Sequence, residues 1–434
     1  MNIIIEVLLW ITYLASLYFS VFLLIVYLEK RSEYDEPIEE NNIFQESNSK
    51  KNQPFEPFIT ILVPAYNEEK TIQKTLESIN NLDYSKEKLQ VIAINDGSKD
   101  QTEHKIKEYI KDKPHFHLLS HSNRGKAASL NCALKLAKGE FFACLDADSF
   151  VAPTTLRKML HLYITENDPK LAIITPAMKV YEPKTILQRV QWLEYLVIIL
   201  FGKIASKLDS LYVAPGPFSL YRTNIITQLG GFDEKNITED QEIAYRVQKH
   251  QYKIRQCPAG YVYTTAPATL KPFYNQRKRW YLGSMLCVHQ YRDLIANRKY
   301  GDFGMMQMVK NASGYFLAIT GISIAITLFI QPWFLRIREL FLINFNIMPY
   351  ILDFKFRLTF ITFLLTDFRK AFIIIFLIII SIYLFYVAHK NAHEKITKFG
   401  WIHLIPYFMF YYSVKAYILL ATIVKFAWTR KAKW

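Results

Sequence analysis

Residues 7–28 run for 22 positions without a charged side chain, and Glu29-Lys30-Arg31 comes at once after them. About 20 apolar residues in helical form cross a bilayer core, because a helix satisfies its own backbone where no water can. The run is too long for a cleaved secretory signal, and its basic cluster lies on the wrong side. Residues 1–30 therefore read as a retained transmembrane anchor, with Lys30 and Arg31 holding the adjoining domain in the cytosol. The pattern returns near the other end. Residues 311–335 and 371–388 are uncharged and long enough to span, and 400–424 would span although Lys415 interrupts it. Residues 341–365 are apolar but carry Asp353, Lys355 and Arg357, and read as an interfacial segment with helical pieces. Three crossings here would leave Arg430-Lys431-Ala432-Lys433 outside, against the charge rule. Either 341–365 crosses or the last segment is re-entrant. Residues 301–434 thus read as a transmembrane region, and the chain as a multi-pass protein of the cell (plasma) membrane.

Between the apolar ends the pattern changes. Residues 31–57 are polar, acidic at first and broken by Pro37, Pro54 and Pro57, which makes a linker. From residue 58, short apolar runs alternate with helical periodicity. Strands are predicted over 58–63, 89–95, 115–120, 140–145 and 171–175, and helices over 68–80, 101–111, 127–138, 154–164 and 239–249. This alternation implies a mainly parallel sheet over residues 58–300, whose ligands gather beyond the strands' C-terminal ends. Pro64-Ala65-Tyr66-Asn67, Asp96-Gly97-Ser98 and Asp146-Ala147-Asp148 each stand at such an end. Residues 186–208 and 273–292 mix charged with aromatic residues and read as amphipathic interface helices, with packing on the soluble core as the alternative.

Cys132, Cys144, Cys257 and Cys287 are far apart, form no metal pattern and read as buried thiols in a reducing compartment. The net charge of +15 would suit nucleic acid. The basic residues, however, sit beside apolar runs or around Gln276, with no nucleic-acid-binding motif nearby. Membrane lipids and a diphosphate-bearing substrate are the expected partners.

Five short segments carry chemistry. Asp146 and Asp148, two residues apart beyond a strand, can hold Mg2+ or Mn2+ and through it neutralise a diphosphate. Alone, they could equally be turn-forming aspartates. Asp96 can accept from a base's imide, with Tyr66 as a stacking face, or can be part of an ordinary Asp-Gly turn. Lys126 opens a helix where both its charge and the helix terminus favour phosphate; the alternative is a solvated lysine. Thr238-Glu239-Asp240-Gln241 has the form of a capping box, but capping requires nothing of Asp240. A general base there must stay ionised, and a desolvated Asp240 would regain the basicity that a helix N-terminus removes. In Gln276-Arg277-Lys278-Arg279-Trp280, arginines can pair with a leaving diphosphate and the indole can stack on a sugar, or the cluster can anchor at a membrane surface.

Val63-Pro64-Ala65-Tyr66-Asn67-Glu68, Asn95-Asp96-Gly97-Ser98, Asp146-Ala147-Asp148, Thr238-Glu239-Asp240 and Gln276 to Trp280 together resemble the processive family 2 glycosyltransferases, the synthases of hyaluronan, chitin oligosaccharides, poly-N-acetylglucosamine and cellulose. The resemblance covers residues 58–300 well and the membrane arrangement loosely. It implies an α/β GT-A glycosyltransferase domain, Rossmann-like, beside an α-helical transmembrane region. It also implies inverting transfer from a UDP-sugar (UDP-N-acetylglucosamine or a related UDP-hexose), with Mg2+ or Mn2+, onto a growing glycan acceptor that leaves through the membrane. Carried over by position, Pro64, Tyr66, Glu68, Asp96, Lys126 and Asp146 would bind the nucleotide sugar, and Asp148 with Asp146 the metal. Asp240, with Glu239 beside it, would be the base. Gln276, Arg279 and Trp280 would line the acceptor end, Arg279 also near the diphosphate. Ala214-Pro215-Gly216-Pro217-Phe218-Ser219 departs from the small-residue pattern associated with the hyaluronan and poly-N-acetylglucosamine enzymes, which leaves the donor open. Single-sugar transfer to a lipid carrier or glycolipid is the alternative within the class, and a nucleotide-regulated transporter the alternative outside it. Accessory subunits stay undetermined.

Overall fold

The computed structural model describes residues 3–29, 55–325, 331–342 and 367–429. Most of the linker, the charged apolar stretch at 343–365 and the basic tail lie outside these residues. The chain forms two compact units: Met1–Arg31 with Ala312–Tyr386, and Ser32–Asn311 with Val387–Trp434.

The larger unit is built on one eight-stranded sheet. In chain order its elements are β1 (Ile59–Ala65), α2 (Ile72–Asn80), β2 (Leu89–Asp96), α3 (Thr102–Ile110), β3 (Phe116–His121), α4 (Lys126–Leu134), β4 (Phe141–Cys144), β5 (Ser149–Val151), α5 (Thr155–Glu166), β6 (Leu171–Val180), α6 (Ile186–Lys207), β7 (Ser219–Arg222), α7 (Thr223–Gln228), α8 (Glu239–Lys249), β8 (Lys253–Thr264) and α9 (Leu270–Gln290). The N-terminal helix of the other unit, Ile3–Glu29, is α1. The strand order is β3-β2-β1-β4-β7-β6-β8-β5. Strands β3, β2, β1 and β4 run parallel, as do β6 and β8, while β7 pairs antiparallel with both its neighbours.

Both faces of this sheet are covered, so its strands are apolar on both sides. Ile59, Ile61 and Val63 of β1 point toward a core shared with Ile72, Leu76 and Ile79 of α2 and Leu156 and Met159 of α5. The alternate residue Leu62 joins Leu130 and Ala133 of α4 and Ile243 and Val247 of α8 on the other face. Period-2 alternation thus sorts one strand into two cores. The polar exception, buried Thr60, is paired with Gln90 at 2.9 Å. The chain leaves β1 toward β2 on one side, and β4 lies on the other, so a topological switch point falls between β1 and β4.

Helix α6 differs from the membrane-surface expectation. Trp192, Leu193, Tyr195 and Leu196 are buried within the unit, and so are Gln188 and Glu194. Gln188, one of the polar residues that make it look amphipathic, completes a capping box with Thr185 and donates to the Ala266 carbonyl at 2.8 Å. Helix α9 keeps a half-exposed face carrying Gln276, Arg279 and Trp280.

Among the described residues, three helices are long and apolar enough to cross a membrane: Ile5–Glu29, Phe368–Asn391 and Leu404–Phe426. The predicted span at 311–335 is described as α10 (Val309–Ala325) and the start of α11 (Gln331–Leu342), with residues 326–330 outside the described residues. Helix α12 is Phe368–Asn391. The last apolar helix starts with Leu404–Pro406, continues as a π-helical stretch, Tyr407–Tyr411, and ends as α13 (Tyr412–Thr429). In the smaller unit, Lys370 pairs with Glu6 at 3.2 Å, and Tyr27 packs against Tyr383.

Candidate functional site

The switch point delivers three strand ends to one crevice. After β1, Tyr66 is exposed and Asn67 adopts a left-handed backbone (φ 57°). Its amide donates to Ser98 Oγ at 3.0 Å, and its side-chain oxygen accepts from the Lys99 amide at 2.9 Å, tying the β1 and β2 loops together. Pro64 is half-buried within β1, in register with Ile94. Glu68 accepts from Thr71 Oγ1 at 2.8 Å, and burial raises its carboxyl above the ordinary range. Asp96 is buried, and its two oxygens accept from the Arg124 amide at 2.8 Å and the Gly125 amide at 3.0 Å. It anchors the loop before α4, so a contact with a base has to use a remaining lone pair.

That loop presents Lys126, whose Nζ lies 2.6 Å from Asp146 Oδ1 and 2.8 Å from Glu239 Oε1. Burial works against this ammonium, but Asp146, Glu239 and Asp240 outweigh it and hold it well above its ordinary range. Lys126 therefore joins the acidic pair after β4 to the acidic start of α8. Burial, then the charges of Asp146 and Glu68, push Asp148 up to about 6. Burial and the Glu239 charge push Asp240 up to about 6 as well, against the opposing influence of Lys126 and Arg279.

Two glycines allow this closeness. A Cβ at Gly216 would lie 2.8 Å from Lys126 Nζ and 2.9 Å from Asp146 Oδ2, so a side chain there would displace the ends of this pair. The same loop is fastened to α8 by the Ala214 amide, which donates to the Asp240 carbonyl at 3.2 Å. A Cβ at Gly283 would come 2.2 Å from Thr238 Oγ1, so α9 lies directly against the start of α8. Thr238 does not cap its helix as its spacing with Gln241 predicts. Its hydroxyl donates to Asn236 Oδ1 at 3.2 Å, while Gln241 reaches Ser284 on α9 at 3.1 Å. A local turn has taken up the Thr238 hydroxyl, and tertiary packing the Gln241 amide. Gly216 stands in a loop whose closeness to Lys126 has no local sequence signal; Gly283, inside a helical pattern, did carry one.

A cavity of about 820 Å³ runs from Asp148 along α9, with Thr71, Ile237, Gln276, Arg279 and Leu282 among its lining. Gln276 and Arg279 thus share an enclosure with a carboxylate more than a hundred residues away. Trp280 has the Arg277 guanidinium over its ring at 4.1 Å, which occupies one face of the indole. Among the described residues no three His, Cys, Asp or Glu side chains form a ready-made metal cluster. The four cysteines are free thiols.

An open α/β sheet with carboxylates and a lysine gathered at its switch point, faced by a basic helix, is the arrangement of a transferase for nucleotide-activated groups. Residues 60–230 match the family model described as Glycosyl transferase family 2, and the mostly parallel sheet is of the GT-A kind. It is 27% identical over 368 residues, 85% of this chain and 83% of the relative, to the poly-beta-1,6-N-acetyl-D-glucosamine synthase of Staphylococcus epidermidis. To the enzyme of the same name from Staphylococcus aureus (strain COL) it is 32% identical over 226 residues, 52% of this chain and 54% of that one. The chain therefore spans about half the length of the latter relative. In structure it is similar to the mannosyltransferase PcManGT from Pyrobaculum calidifontis in complex with GDP-Man and Mn2+ (TM-score 0.58, 18% identity, 96% of this chain and 100% of that chain), a likeness of fold.

Proposed function

We propose that this glycosyltransferase is a membrane-embedded, inverting polysaccharide synthase. It takes N-acetylglucosamine from its UDP donor and extends a β-linked glycan that leaves through the membrane. The observation that carries the reading is the Asp146–Lys126–Glu239 ion-pair chain standing beside Asp148, which shares a cavity with the Gln276–Arg279 face of α9. The N-acetylglucosamine polymer in the relatives' names supports the choice of donor.

In this reading the uridine stacks on exposed Tyr66 beside Asp96, with Pro64 shaping the strand end and Glu68 and Lys126 below. Asp146 and Asp148 hold a divalent cation, Mg2+ or Mn2+. The fit rests on Asp148, a half-buried carboxylate whose charge its neighbours Asp146 and Glu68 oppose, and which a cation would compensate. Bound there, the cation would neutralise the diphosphate as it departs. Asp240 takes the proton from the acceptor hydroxyl, the freed oxygen forms a bond to the anomeric carbon, and the bond from that carbon to the diphosphate breaks. UDP carries the electron pair away, with Arg279 close enough to share its charge. Glu239 keeps Lys126 charged and in place. Gln276 and Trp280 hold the acceptor without covalent attachment, as a growing polymer requires. The catalytic unit faces the cytosol and the membrane helices serve export.

The test supplies purified protein in detergent with a panel of UDP-sugars and Mn2+ or Mg2+, and measures UDP release and product length. Release with UDP-N-acetylglucosamine and a ladder of long products is expected. A single addition onto lipid would replace polymerisation by transfer to a carrier, and release with another donor alone would overturn the choice of sugar.

A further inference from the structure

Lys415 interrupts an otherwise apolar run, and a charge inside such a helix marks a paired or functional position. Its partner is Glu194, midway along α6. Glu194 Oε1 accepts from Lys415 Nζ at 2.5 Å, and Oε2 accepts from Arg277 of α9 at 2.5 Å and from Tyr411 Oη at 2.6 Å. The carboxylate and the guanidinium are both almost fully enclosed, with side chains 7% and 2% exposed. Burial alone would raise the Glu194 carboxyl, but Lys415 and Arg277 outweigh it and hold it below its ordinary range. The Arg277 guanidinium is sandwiched in turn, 5.1 Å from the Phe273 ring and 4.1 Å from that of Trp280.

Glu194, Lys415, Arg277 and Tyr411 have no part in the chemistry above, and apolar side chains would pack three helices at least as well as a buried ion cluster does. What the cluster adds is one geometry. Successive residues on a helix are about 100° apart, so Arg277 can reach Glu194 at only one rotation of α9. That rotation sets where its neighbours Gln276 and Arg279 face, and both line the cavity that Asp148 also lines. The unpartnered, buried Oε1 of Gln276 marks a group held in place by the helix rather than by a partner of its own.

We propose that Glu194 is a positioning residue for the acceptor end: it clamps Arg277 behind Trp280 and, through Lys415 and Tyr411, fastens the last apolar helix to the acceptor-holding helix α9. The inference rests on the synthase reading for the identity of the acceptor. The clamp makes grip on the glycan, and not on the nucleotide, depend on the seating of that apolar helix.

The experiment uses full-length protein in detergent with Glu194→Gln, Lys415→Met, the double variant and Glu194→Asp. UDP affinity, KM for UDP-N-acetylglucosamine, KM for a short chitin-type or β-1,6-linked oligosaccharide acceptor, and mean product length are measured. Glu194→Gln and Lys415→Met should each leave UDP affinity and donor KM within about twofold, while acceptor KM rises about fivefold or more and products shorten. The double variant should be little worse than either single one, because both remove the same contact, and Glu194→Asp should recover part of the length. Lys415→Met removes one arm only, so it stands if Glu194→Gln fails to fold. Unchanged acceptor KM and length in the folded variants, or equal losses toward donor and acceptor, would overturn the clamp. A wild type that adds one sugar only would defeat the synthase reading, leaving the clamp to be judged on acceptor KM.

Discussion

As the proposed base, Asp240 has to be ionised to accept a proton and basic enough to keep it, and its surroundings move it toward both. Burial and Glu239 push it up to about 6, while Lys126 and Arg279 limit the rise. Replacing it with asparagine keeps the shape and removes the base. Asp240→Asn should lower kcat by roughly 10²–10⁴-fold with UDP affinity unchanged, measured by UDP release and by titration with UDP. The pH dependence carries a sign that separates activity from stability. A carboxyl raised from 3.8 to about 6 in the folded protein binds its proton more tightly there, so its contribution to stability is complete below about 4 and is lost as pH rises through about 6. Activity runs the opposite way and should fall about tenfold per pH unit below about 6 in metal-saturated enzyme. Asp240→Asn, with no charge to bury, should then be at least as stable as the wild type at pH 7.5 by thermal unfolding. A variant both inactive and markedly less stable would assign Asp240 to the fold.

The elements are placed by contacts of very different sequence range, and this decides what could be read in advance. Strands β1, β2 and β3 and helices α2 to α5 announce themselves as apolar runs between breakers such as Pro64 and Asp96-Gly97, within a residue or a few of the structure. Strand β8 escapes because buried positions along Lys253–Thr264 are three apart at first and alternate only from Gly260 on, and its pairing with β6 shifts register between Pro176 and Ala177. Strand β7 is four residues long, too short for a period to show. The acidic motifs were readable because each stands at a strand or helix end. The Glu194 cluster was not, because its partners come from helices roughly eighty and more than two hundred residues away, although Arg277 shares a face with Phe273 and Trp280. The contact between α8 and α9 depends on a missing side chain. Gly283→Ala should push Thr238 away, with a loss of about 1–3 kcal/mol by thermal unfolding and a fall in kcat, since Asp240 rides on the displaced helix end. Unchanged kcat would mean that α9 does not set the position of the base.

For the molecule as a whole, apolar helices at both ends of the chain and a basic balance of +15 suit the proposed reading, with an anionic donor and a glycan passed across a membrane. Removing divalent ions with EDTA should abolish transfer, and Mn2+ or Mg2+ should restore it. Asp148→Asn should weaken that restoration at least tenfold, measured as the metal concentration giving half-maximal UDP release. The most direct trial is product length from UDP-N-acetylglucosamine with purified wild type beside Asp240→Asn. A ladder of long β-linked chains from the first, and UDP binding without UDP release from the second, is the predicted result. Undiminished UDP release from Asp240→Asn would contradict it.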